Sequence, residues 1–308
     1  MCRFFATIST STIDAGYLLQ TASQSLLYES RVRRKELQKD GWGVGWFERG
    51  RPQIYKSPNP IYKDFASPHP SPLGRGRSEA AGEAQTTIAG IRRRCLVGHV
   101  RWASNPLKLP KNHLIGRVHS QPFSFGSWLF AHNGTLLIPK EVREALGPLG
   151  QYIKGNNDSE VLFYWLMKHL LPSSPRRKPG SRRLDWVPAS AGMTALVSRI
   201  RKSISELDTI WQSCRNKYPL YKYPYHGLNW VLTNGKILIA MCYVNPGGFG
   251  KAKALIRRQE PYYQLRYKHD ASGWMVASEP LDHDPLWKCM RHGQILVVNG
   301  GQGRFLWL

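Results

Sequence analysis

Strand-type segments outnumber helical ones along this chain and do not alternate regularly with them. A doubly wound parallel fold needs that alternation and is therefore disfavoured. Seven short runs rich in aromatic and β-branched residues read as strands: Trp42–Phe47, Cys95–His99, Ser127–Ala131, Trp230–Leu232, Ile237–Val244, Gly273–Ser278 and Ile295–Val298. Leu228–Thr233 and Lys236–Tyr243 flank Asn234-Gly235, a hairpin signal because both residues tolerate positive φ. Two segments read as helices. Asp158–Leu171 is apolar almost all round and opens on the N-cap run Asn156-Asn157-Asp158-Ser159. Ala195–Cys214 carries Leu196, Ile200, Ile204, Leu207 and Trp211 at three- and four-residue spacing. There is no internal repeat.

With 308 residues and 42% hydrophobic content, the chain has apolar material for one large domain or two ordinary ones. Its longest apolar runs, Val161–Met167 and Ile237–Val244, fall far short of the roughly 18 residues a membrane span requires. The opening Met-Cys-Arg-Phe-Phe-Ala has no basic segment leading into an apolar stretch, so a secretory signal is not expected. Cysteines at 2, 95, 214, 242 and 289 show neither CxxC nor Cys/His ligand spacing, which argues against a disulfide scaffold or a zinc site. A reducing cytoplasm is the expected setting. Two stretches, Ala66–Arg94 and Pro172–Thr194, are rich in Pro, Gly, Ser and Arg and have the composition of exposed or disordered insertions. Their wording resembles translated repeat elements of some bacterial genomes.

Four places could carry chemistry. Removal of Met1 would leave Cys2 with a free α-amino group of pKa about 7.7–8.0 beside its own thiol, so one residue could supply nucleophile and base. Gly98-His99-Val100-Arg101-Trp102-Ala103-Ser104 and Phe130-Ala131-His132-Asn133-Gly134-Thr135 each end a predicted strand, and Asn157-Asp158-Ser159-Glu160 opens a helix. Each has a plain alternative. Cys2 is then an inert buried cysteine, Asn133-Gly134 a tight turn, Arg101 a solvated strand residue and Asp158 an N-cap.

Taken together, these segments resemble a class II glutamine amidotransferase domain, an N-terminal-nucleophile hydrolase, and most of all the stand-alone bacterial subgroup that opens with Met-Cys-Arg. The resemblance rests on Met1-Cys2-Arg3, Asp40-Gly41-Trp42-Gly43, Gly98–Ser104 and His119-Ser120-Gln121-Pro122-Phe123. It continues through Ala131-His132-Asn133-Gly134, Asn157-Asp158-Ser159-Glu160 and Ala277-Ser278-Glu279-Pro280-Leu281. It implies an α+β fold, a four-layer αββα sandwich of two antiparallel sheets flanked by helices, formed by a single domain over 1–308 with insertions at about 66–94 and 172–194. Cys2 is expected to start a strand at the sheet edge, where the other segments converge. By the same resemblance Cys2 is the nucleophile, with its α-amino group as base through a water. Arg101 pairs with the substrate α-carboxylate, Asp158 holds its α-ammonium, and the Asn133 side-chain amide with the Gly134 N–H forms the oxyanion hole. Trp102 and His132 shape the pocket. Val100 and Ser104 stand where the family often has Thr; Ser104 keeps a hydroxyl and Val100 does not.

The implied reaction is attack on the glutamine side-chain carboxamide, release of ammonia, and hydrolysis of a γ-glutamyl thioester to glutamate, with no metal or organic cofactor. No ammonia-consuming module is visible. The expected partners are therefore glutamine or another γ-glutamyl compound and a separate ammonia-accepting protein, with no membrane. The formal net charge of +24 motivates a competing reading, a catalytically silent basic protein binding RNA, DNA or an acidic partner. Residues 1–150 hold 21 Lys+Arg and 10 Asp+Glu, and 151–308 hold 23 and 10, so no basic arm stands out and nucleic acid is disfavoured. A redox sensor using Cys2 has no support in the cysteine spacing.

Overall fold

The computed structural model describes residues 2–32, 37–65, 79–171, 192–244 and 264–308. In chain order its strands and longer helices are β1 (Arg3–Asp14), α1 (Leu26–Glu29), β2 (Trp42–Glu48), β3 (Arg51–Ser57), α2 (Ile61–Asp64), α3 (Glu79–Ile88) and β4 (Arg92–Val100). They continue as β5 (Phe123–Phe125), β6 (Trp128–Leu136), α4 (Pro139–Ala145), α5 (Asp158–Leu170), α6 (Gly192–Cys214), β7 (Tyr225–Thr233) and β8 (Ile237–Cys242). The last are β9 (Arg266–Asp270), β10 (Gly273–Ala277), β11 (Lys288–Cys289), β12 (Gln294–Asn299) and β13 (Gln302–Trp307).

Two antiparallel sheets carry the molecule. One runs β11-β9-β10-β1-β4-β2-β3 and the other β13-β12-β8-β7-β6-β5. Three apolar clusters fill the layers between and outside them. Phe4, Ala6, Val97, Leu129, Ala131, Val231, Leu238 and Leu296 meet between the sheets. Phe5, Trp42, Val44, Leu96 and Val100 face the other way, onto Leu26, Ile61 and Ile88 of α1, α2 and α3. Phe130, Trp230, Leu232, Ile237 and Ile239 face Val142 of α4, Phe163 of α5 and Ile200 of α6. The result is the four-layer αββα sandwich. Alternate residues of each inner strand serve two different cores, so these strands are apolar on both faces and read as unbroken hydrophobic runs.

Both sequence-expected helices form. Asn157 caps α5 by accepting the Ser159 N–H at 2.9 Å. The β7–β8 hairpin turns one residue later than Asn234-Gly235: Asn234 pairs back to Ile237, and of the two residues only Gly235 has positive φ, at 83°. Three expectations need correcting. β1 is the fourth strand of seven, not an edge strand, and Cys2 immediately precedes its first residue. Asn133-Gly134 is no turn; β6 runs through it, pairing Asn133 with Asn229 and Gly134 with Leu228. The second half of the stretch 66–94 is helix and strand, with Ala84, Ile88 and Ile91 buried, so its small and polar residues had masked a working part of the core. Residues 66–78 of that stretch, and 172–191 of the other, lie outside the described residues. Among the described residues no helix is long and apolar enough to cross a membrane.

Candidate active site

Antiparallel pairing brings four chain segments to one end of the seven-stranded sheet: the start of β1, the end of β4, the start of β2 and the end of β10. They carry Cys2, Arg101, Asp40-Gly41 and Ser278 respectively. Across the sandwich, the end of β6 brings Asn133 and Gly134, and the first turn of α5 brings Asp158.

Cys2 is 9% exposed and sits against the main chain that follows β4. Its Sγ is 3.4 Å from the Trp102 N–H, which donates to it, and 3.4 Å from the Trp102 carbonyl, which accepts from the thiol. Burial raises the thiol pKa, while the Trp102 N–H and the Arg101 charge pull it back. The thiol therefore rests protonated near neutral pH and needs a base. All five cysteines are free. Burial pushes Cys95 to about 12 and Cys242 to about 11, so neither competes as a thiolate.

Arg101 is 3% exposed. Its main-chain N–H donates to Gly41 O at 2.9 Å, and Nη1 donates to the carbonyls of Leu114 and Asp40. Burial lowers its pKa against the opposing pull of Cys2, Asp158 and Asp40, all close enough to act on its charge. Asp158 is 2% exposed and doubly held: Oδ1 accepts the Ser104 hydroxyl at 2.7 Å and Oδ2 accepts the Leu136 N–H at 2.8 Å. The retained hydroxyl at 104 thus has a defined partner. A carboxylate in the first turn of α5 also lies at the favourable end of the helix dipole.

Asn133 is fully buried. Its Nδ2 donates to Ser278 Oγ at 3.3 Å, and its Oδ1 has no partner among the described residues. Gly134 admits nothing larger: a Cβ there would lie 2.0 Å from Gly227 O and 2.6 Å from His132 Nε2. His132 does not reach toward the thiol. Its Nε2–H donates to Gly227 O at 3.0 Å, and the Ser159 hydroxyl lies 3.0 Å from Nδ1, which ties β6 to α5 and β7. Of Trp102, it is the main chain that meets Cys2.

Several residues of the site carried no assigned role in the sequence reading. Asp40 Oδ2 accepts the Ala103 N–H at 2.9 Å and so fixes the turn beyond Arg101. Ser278 Oγ accepts the Phe4 N–H at 3.2 Å, two residues past Cys2. Arg3, 1% exposed, donates through Nη1 to the Cys2 carbonyl and lies 3.6 Å from Glu29 and 3.5 Å from Glu279. The motifs Asp40–Gly43 and Ala277–Leu281 contained two of these residues, but only the fold shows what they touch.

These are the segments of the family suggested by the sequence, and the comparisons decide it. The model of the family described as "Glutamine amidotransferases class-II" matches residues 1–197. The chain belongs to the class II glutamine amidotransferases. A relative named gamma-glutamyl-hercynylcysteine sulfoxide hydrolase from Mycobacterium tuberculosis is 24% identical over 291 residues, 93% of this chain and 88% of that protein. Its namesake from Mycolicibacterium smegmatis is 25% identical over 294 residues, 93% and 91%. Among solved structures, a glutamine aminotransferase class-II domain protein from Silicibacter pomeroyi superposes with TM-score 0.57 at 19% identity, covering 99% of each chain. An allosteric regulatory enzyme of purine biosynthesis matches with TM-score 0.55 at 16% identity, covering all of this chain and 49% of its own. These structures share the fold of this amidotransferase.

Two buried histidines of this amidotransferase make its stability depend on pH. Burial lowers the pKa of His132, and lowers that of His99 well below the ordinary value. Unfolded histidines take up protons near pH 6.5, and the folded ones only at lower pH. Their contribution is therefore complete above about pH 6.5 and is lost as pH falls from there toward the folded values. Urea midpoints should fall between pH 7.5 and pH 5.5, and His99→Leu should flatten that fall. A variant with the wild-type slope would remove His99 from the account.

Proposed function

We propose that the chain hydrolyses the side-chain amide of a γ-glutamyl compound with Cys2 as nucleophile. The observation that carries this reading is the placement of a buried thiol, a guanidinium, a carboxylate and an oxyanion-type amide at one end of the sandwich. Loss of Met1 exposes the α-amino group of Cys2. That amine, of pKa about 7.7–8.0, takes the thiol proton through a water. The thiolate attacks the amide carbon, and the oxyanion is received by Asn133 and the Gly134 N–H. The C–N bond breaks as the proton passes to the departing amine. Water then cleaves the thioester, giving glutamate and restoring the thiol.

The orphaned Oδ1 of Asn133 fits this role. A half-turn of the amide lets the Ser278 hydroxyl donate to Oδ1, since its oxygen already accepts from Phe4, and releases Nδ2 as a donor. Arg101 supplies the planar fork for the α-carboxylate and Asp158 the counter-charge for the α-ammonium. The single domain over 1–308, its cytoplasmic setting and a separate ammonia-accepting protein belong to the same reading. A second version, in which the amide is not glutamine's, is favoured by the names of the two mycobacterial relatives.

Release of glutamate from glutamine and from γ-glutamyl peptides, followed by a coupled dehydrogenase assay, tests the proposal; no release from any of them would sink it. Arg101→Lys keeps the charge but loses the fork, and should raise KM about tenfold or more with a smaller change in kcat. An unaltered KM would place the α-carboxylate elsewhere.

A further inference from the structure

Cys2 stands where the β-ladder stops. The last pair between β1 and β4 is Arg3 with Val100, and the last between β1 and β10 is Phe5 with Ala277. Beyond them the chain after β10 keeps following β1 through single contacts. The Ser278 N–H donates to Phe4 O at 2.9 Å, Ser278 Oγ accepts the Phe4 N–H, and Glu279 lies against the Arg3 guanidinium. The same Ser278 oxygen accepts from the Asn133 amide.

Arg3 turns three nitrogens of its planar fork to three different segments. Nη1 donates to the Cys2 carbonyl at 3.0 Å, Nη2 is 3.5 Å from Glu279 Oε1, and Nε is 3.6 Å from Glu29 Oε2 on α1. The Arg3 and Glu29 side chains are 2% and 7% exposed, so salt screens this pair little. The turn leading into α1 is tied to the chain after β10 as well, since the Gln24 N–H donates to Leu281 O at 3.0 Å.

The Cys2 carbonyl and Cα lie in one peptide plane with the Arg3 N–H. A bond that holds the carbonyl therefore holds the atom from which both the thiol and the α-amine spring. Once Met1 is removed, no preceding residue restrains that atom, and chain ends are loose unless tied down.

We propose that Arg3 is a positioning residue for the nucleophile: set between Glu29 and Glu279, it fixes the Cys2 main chain and so aims the thiol and the α-amine. The proposal rests on the γ-glutamyl hydrolase reading and deepens it. Ser278 and Glu279, adjacent in the chain, keep the oxyanion amide and the nucleophile in register with each other.

The test uses the full-length protein lacking Met1 and the variants Glu279→Gln and Arg3→Lys, with Glu48→Gln as control. The Glu279 side chain is 22% exposed, so its neutral isostere should fold even if Arg3→Lys does not. Glu48 pairs with Arg93 at the far end of β2 from Asp40-Gly41, and its variant should match the wild type. Two pairs of constants are measured: kcat and KM for L-glutamine and γ-glutamyl peptides, and kinact and KI for labelling of Cys2 by a diazo-ketone analogue of glutamine. Glu279→Gln should lower kcat and kinact about tenfold and Arg3→Lys about a hundredfold, the latter the scale of a misplacement of about 1 Å, with KM and KI kept within about twofold. A merely structural role would reduce the fraction of Cys2 that takes the label without slowing the rest. Wild-type kcat and kinact in Glu279→Gln, a change confined to KM and KI, or loss of labelled fraction alone would overturn the proposal. A wild type that neither takes the label nor cleaves any of these substrates would instead remove the hydrolase reading, and the positioning role with it.

Discussion

Cys2→Ala should leave a folded protein that releases no glutamate. Among the described residues Sγ hydrogen-bonds with the main chain of Trp102, and the truncation deletes one small buried group at a strand end, a cost on the order of 1 kcal/mol. The chemistry loses far more. Without a nucleophile there is no thioester, and what remains is attack by water at an amide held by Arg101 and Asp158. Removing the nucleophile of a comparable acyl-transfer site costs on the order of 10⁶ in kcat. Cys95 and Cys242 offer no substitute, because burial within the sandwich pushes their thiols up to about 12 and 11. Circular dichroism and a urea midpoint near the wild type, together with loss of glutamate release, is the expected pair of results. Activity retained above about one per cent would mean that the nucleophile is another group.

The second large effect concerns the oxyanion. Asn133→Ala should lower kcat about 10²- to 10³-fold, since one oxyanion donor is worth about 2.7–4 kcal/mol of barrier, and should leave KM close to its starting value. The split follows from the proposed division of labour, in which Arg101 and Asp158 would hold the amino-acid head and Asn133 would act only when the carbonyl oxygen becomes negative. Ser278→Ala should repeat the pattern on a smaller scale, because it leaves the amide in place and removes only the hydroxyl that orients it. A rise in KM with kcat intact in Asn133→Ala would make the amide a binding group instead.

Which parts of the fold could be read in advance follows from where each strand sits. The seven strands legible in the sequence are β2, β4, β6, β7, β8, β10 and β12, every one an inner strand with a neighbour on each side. Their residues feed a core on either face, so their apolar runs stand out. The four edge strands, β3, β5, β11 and β13, were not visible. Arg51-Pro52-Gln53-Ile54-Tyr55-Lys56-Ser57 and Gln302-Gly303-Arg304-Phe305-Leu306-Trp307 keep polar and charged residues among the apolar ones, as edges do to avoid further pairing. β1 escaped notice because its distal half, Ser9-Thr10-Ser11-Thr12, is polar and largely exposed.

The site divides in the same way. Arg101, Asn133 and Asp158 were legible through family resemblance, since each sits in a short local motif. Ser278 and Asp40 act through contacts between segments far apart in sequence: Ser278 meets Phe4 across 274 positions, and Asp40 meets Ala103 across 63. No periodicity encodes such a contact. The excess of positive charge was equally plain in the composition but had no address. The fold gives part of it one by bringing Lys108 and Lys217 to the same cavity.

The central claim is that Cys2, freed of Met1, is the nucleophile, and peptide-level mass spectrometry after treatment with a diazo-ketone analogue of glutamine addresses it directly. The account predicts an N-terminal peptide that begins at Cys2 and carries one adduct on its sulfur, with excess glutamine or γ-glutamyl amide protecting it. A peptide that retains Met1, or an adduct on Cys289 or another residue with Cys2 unmodified, would contradict it.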